Sequence, residues 1–102
     1  MPFSDTDFDR AFAEWQEFGP QRRIPVEQRW PALFPHASSD DFDDARRRCQ
    51  EIESFAYDLA DQVLAHKLND KEAFHRFSSQ YPKLTADCLS RTWNQAMYFA
   101  SK

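Results

Sequence analysis

The stretch SDDFDDARRRCQEIESFAYDLADQVLAHKL, residues 39–68, decides the fold class. Phe42, Ala45, Cys49, Ile52, Ala56, Leu59, Val63 and His66 recur at alternating steps of three and four, the spacing that lines one face of an α-helix. No glycine or proline interrupts them. Ser39 is the candidate N-cap, and Asp40, Asp41, Asp43 and Asp44 fall where the positive end of a helix favours carboxylates. Asp43–Arg47, Asp44–Arg48 and Arg47–Glu51 are spaced four apart and suit an exposed, ion-paired face. The spacing predicts a long helix over about 40–68, which at 1.5 Å per residue spans ~43 Å. That exceeds the diameter of a compact domain of this length. The helix is therefore expected to bend, to project, or to pack against a second copy of the chain.

Composition extends the helical reading to the whole chain. Of 102 residues one is glycine, Gly19, so tight hairpins that need positive φ have almost nothing to use. Seven β-branched residues stand against twelve Ala and six Leu. A single all-α domain over 1–102 follows, with a bundle of about five helices. Ten Phe and a net charge of only −4 argue against disorder.

Outward from the long helix, Ser4 with Asp7 opens a first helix, about Asp5 to Phe18. Phe8, Ala11, Phe12, Trp15 and Phe18 form its aromatic stripe, and Gly19-Pro20 stops it. Pro20, Pro25, Pro31 and Pro35 punctuate residues 19–37. Pro25 suits the first position of a short helix through Trp30, which Pro31 breaks or restarts. Ile24, Val26, Trp30, Leu33 and Phe34 are too apolar for a free linker, so this stretch reads as a strap across the core. Asn69 or Asp70 caps a helix over about 71–80, with Phe74, Phe77 and Tyr81 on its apolar side. Thr85 caps a last one to about Ala100, whose apolar face is Leu84, Cys88, Leu89, Trp93, Ala96, Met97 and Ala100. No apolar run approaches the ~20 residues that span a membrane. The Met1–Asp9 segment lacks the basic and apolar regions of a signal peptide, and a cytoplasmic location is the expectation. Cys49 and Cys88 read as buried thiols rather than a disulfide.

Charge divides unevenly. Residues 1–66 hold seven Arg against fourteen Asp and Glu, a net of −7, whereas 67–102 hold six basic residues against three acidic, a net of +3. Arg46-Arg47-Arg48 is the densest basic run, but three successive helical positions fan over about 200°. With acidic residues at pairing distance, they read as a solvated face. Arg22 and Arg23, with fewer acidic neighbours, are better candidates for a partner contact.

Nothing in the chain defines a reaction. His36, His66 and His75 form no HxxxH or HExxH pair, and neither cysteine belongs to a CxxC, so no metal or cofactor is expected. No GxSxG or phosphate-cradling glycine pattern occurs. Cys88 lies on an apolar face, where a thiol is packing rather than nucleophile.

Two binding readings remain. The aromatic content supports a non-enzymatic module that binds another protein: an inhibitor, an immunity-type or anti-defence factor, or a regulatory adaptor. Its contact residues are predicted to be Arg22, Arg23, Trp30, Phe34 and Tyr98, the three aromatics being those expected to stay partly exposed. A homodimer through the long helix is compatible with it. The alternative is a DNA-binding regulator whose last two helices, about 71–100, form a helix-turn-helix. Lys83, Thr85, Arg91 and Asn94 would then face the groove. Asp87, a turn without glycine and the acidic balance weigh against it.

Overall fold

The structure, a computed structural model, describes residues 3–16 and 25–101. Among these the protein is all-α, with five helices: α1 Asp5–Trp15, α2 Val26–Leu33, α3 Ser39–Leu64, α4 Asp70–Gln80 and α5 Ala86–Ala100. No helix among the described residues is long and apolar enough to cross a membrane. The chain forms two compact units, Met1–Cys49 and Gln50–Lys102, whose boundary falls within α3.

The long helix is real but shorter than its heptad pattern implies. Its N-cap is Ser38, not Ser39. The Ser38 hydroxyl accepts from the Asp41 backbone N–H at 3.1 Å, and the Ser38 N–H donates to Asp41 Oδ2 at 3.0 Å. This is a reciprocal capping box with aspartate in the usual place of glutamate. The bond from the Ser38 N–H holds the Asp41 carboxyl below its ordinary value. At the other end the helix stops at Leu64 instead of about Leu68. His66 adopts φ 62°, its N–H bonds the Val63 carbonyl at 3.0 Å, and the Lys67 N–H bonds the Gln62 carbonyl at 2.9 Å. That hydrogen-bond pair is a Schellman cap, with histidine where glycine is usual. His66 therefore leaves the apolar seam and is exposed. The remaining 26 residues span ~39 Å.

In the first unit, Ser4 caps α1 by accepting from the Asp7 N–H at 3.2 Å. The helix ends at Trp15, short of Phe18; the stop at Gly19-Pro20 lies outside the described residues, as do Arg22 and Arg23. Phe8, Ala11 and Phe12 are its buried stripe. The strap is partly a helix, α2, and Pro31 lies inside it rather than breaking it. A proline in that place costs about 3 kcal/mol. Burying Trp30 and satisfying its N–H return roughly as much. Trp30 is 1% exposed, and its indole N–H donates to the Ala11 carbonyl at 3.0 Å. Trp15 and Phe42 stack on it with centroids at 6.0 and 6.1 Å. Phe34, 9% exposed, packs against Phe3 at 4.8 Å. Trp30 and Phe34 are thus core residues, contrary to the expectation of exposure. A helix turns its apolar stripe inward, whereas an irregular strap need not.

The arginine run also departs from its simple reading. The observed ion pairs are Arg46 with Asp43 and Arg47 with Asp44, three residues apart rather than four, and Arg46 also reaches Glu27 at 3.3 Å. Arg48 lies over the Phe8 ring at 3.8 Å, a cation–π contact instead of a solvated charge.

In the second unit, Phe77 is fully buried, with Phe55, Tyr81 and Trp93 around it at 6.5, 5.6 and 6.1 Å. Asn69 caps α4 through the Glu72 N–H at 2.7 Å, and Thr85 caps α5 through the Cys88 N–H at 3.2 Å. The Trp93 indole donates to Asp70 at 2.8 Å and so pins α5 to the start of α4. Ala56, Ala60, Ala73 and Ala96, all fully buried, let the backbones approach closely. Cys88 here, like Cys49 in the first unit, is a buried thiol outside any disulfide.

Candidate functional site

The last turns of α3 and α5 leave an aromatic surface on the second unit. On α3, Tyr57 and Asp61 are one turn apart and share a face, and Leu64 continues it. On α5 the buried positions are Cys88, Leu89, Thr92, Trp93 and Ala96. Phe99, three residues beyond Ala96, continues that stripe past the end of the core. It is 43% exposed, Tyr98 is 57% and Leu64 is 41%.

The rings are ordered against one another. Tyr57 and Phe99 meet edge to face at 6.4 Å and 83°, and Tyr98 and Phe99 at 5.4 Å and 72°. Tyr57, Asp61, Phe99 and Ala100 line an open depression of about 450 Å³. Burial pushes the Tyr57 phenol above its ordinary value, and the Glu53 carboxylate one turn earlier adds to the rise. Both acidic neighbours give the depression a negative surround.

Of the predicted protein contacts among the described residues, only Tyr98 lies on this surface; Arg22 and Arg23 fall outside those residues. Trp30 and Phe34 belong to the core of the first unit. Among the predicted DNA contacts, Lys83 and Thr85 lie between α4 and α5, where the Thr85 oxygen already caps α5. Asn94 is exposed and Arg91 half-buried on α5. Arg91, Asn94 and Tyr98 fall at helical spacing along one side. Tyr57, Asp61 and Phe99 escaped the sequence reading. The available signal was Phe99 at i+3 from Ala96, an aromatic on an apolar stripe that outlasts its core. Among the described residues no three His, Cys, Asp or Glu side chains are grouped to hold a metal ion. No family model matches the chain, and no curated protein or solved structure matches it either.

Proposed function

We propose that this protein is a small acidic, non-enzymatic binding module that engages another protein through Tyr57, Tyr98 and Phe99. An inhibitor, an immunity-type or anti-defence factor and a regulatory adaptor all fit this reading. The observation that carries the reading is the edge-to-face pair of Tyr98 and Phe99, both exposed beside the depression. Leaving Phe99 nearly half in water forgoes on the order of 1 kcal/mol of burial. Clustered aromatics recover that energy when a partner covers them, and they dominate interface energetics.

The test is retrieval on the tagged protein from a lysate of the native host, with and without nuclease, alongside the double variant Tyr98→Ala/Phe99→Ala. The expected result is a near-stoichiometric protein that survives nuclease and is lost from the variant, whose melting temperature stays close to that of the wild type. A protein retained equally by the variant overturns the assignment of the surface. Nucleic acid alone, removed by nuclease, replaces this reading with the DNA-binding one and directs attention to Lys83 and Arg91.

A further inference from the structure

Resting on that docking surface, we propose that the depression between Tyr57 and Phe99 receives an arginine side chain of the partner, with the Asp61 carboxylate as its counter-charge. Three independent features of the second unit point to a cation.

The first is the wall chemistry. Aromatic faces carry a negative quadrupole that attracts cations, and a planar guanidinium can stack on a ring while its edge bonds a carboxylate. Tyr57 and Phe99, set at 83° to each other, form an aromatic corner. Asp61 lines the same depression. The chain already uses this chemistry internally, where Arg48 covers Phe8 at 3.8 Å.

The second is the backbone field. The depression is lined by residues from the last two turns of α3 and the last turn of α5. Each helix C-terminus carries roughly −0.5 of an elementary charge. Neither helix has a basic residue in its last turn to offset it. Lys67, whose N–H bonds the Gln62 carbonyl, belongs to the Schellman cap beyond that turn. The last turn of α5 and the Asp61 carboxylate therefore meet at one apolar corner.

The third is the surrounding charge. Glu53, one turn before Tyr57, and Asp61, one turn after it, carry carboxylates on the same face of α3. Their field repels an anionic partner segment and draws in a basic one.

The experiment is a titration of the full-length protein, ¹⁵N-labelled, with N-acetyl-arginine methylamide and separately with its neutral isostere, N-acetyl-citrulline methylamide. The arginine probe is expected to shift the amides of Tyr57, Asp61, Phe99 and Ala100, with an affinity on the order of millimolar. The citrulline probe and the Asp61→Asn variant should each bind about three- to fivefold more weakly, the worth of one exposed cation–carboxylate or cation–π contact. Asp61 is exposed, so its replacement leaves the fold intact. Equal binding of the two probes, or shifts confined to other residues, overturns the inference. The two proposals fail separately. A partner lost from Tyr98→Ala/Phe99→Ala but kept at full affinity by Asp61→Asn sustains the docking surface and removes the arginine.

Discussion

Replacing Trp30 with alanine separates a core residue from a contact residue more sharply than any other change in the chain. The side chain is almost wholly buried, its N–H satisfies the Ala11 carbonyl, and both Trp15 and Phe42 stack against it. Truncation removes the transfer energy of the indole and leaves a cavity that α1 and α3 cannot fully close. The expected cost is about 3–5 kcal/mol. Against a total stability on the order of 5–15 kcal/mol, that is a large fraction. Trp30→Phe keeps most of the volume and loses the hydrogen bond, so about 1–2 kcal/mol is expected. Equilibrium unfolding in urea, followed by far-ultraviolet circular dichroism, measures both. For a slope of roughly 1.5 kcal/mol/M, the alanine midpoint should fall by about 2 M or more. A loss under about 1 kcal/mol at unchanged slope would refute the packing described for the first unit. If the same variant lost its partner at full stability, Trp30 would return to being a contact residue.

Other perturbations follow from single features. Ser38→Ala removes the hydroxyl that caps α3 and should cost about 1 kcal/mol by the same unfolding assay. Asp41 has a lowered pKa in the folded chain, so its carboxylate adds stability above the unfolded value of about 4 and loses it as pH falls through the folded value. The stability gap between wild type and Asp41→Asn should therefore shrink in acid. A gap constant from neutral pH to well below 4 contradicts this. His66→Gly relieves a left-handed backbone that disfavours a side chain and should raise stability by roughly 1 kcal/mol; a loss would mean the His66 side chain holds the cap. Burial raises the Tyr57 and Tyr81 phenols, with nearby Glu53 and Glu51 adding to it. Their neutral forms favour folding, so this contribution is intact below about pH 10 and is lost as pH climbs through the folded values. Ultraviolet titration should show one late-ionising phenol fewer in Tyr57→Phe; an unchanged late component would place Tyr57 in water.

The class of fold was legible because helix formation is a local property. The three–four spacing of residues 42–63, the scarcity of glycine, and the caps Ser4, Asn69 and Thr85 each act through neighbours within a few residues. Those features predicted α1, α3, α4 and α5 to within a few positions. Tertiary structure decided the rest. Ser38 rather than Ser39 caps α3 because Asp41 reaches back to it. α3 ends at Leu64 because a Schellman cap forms at His66 without the glycine that normally announces one. Trp30 is buried because α2 is a helix despite Pro31, Phe34 is buried just past its end, and what an apolar side chain faces depends on elements distant in sequence. The same distance hid the aromatic corner. Tyr57 and Phe99 lie 42 residues apart, and no periodicity within either helix reveals that their last turns meet or that the core stops before covering them.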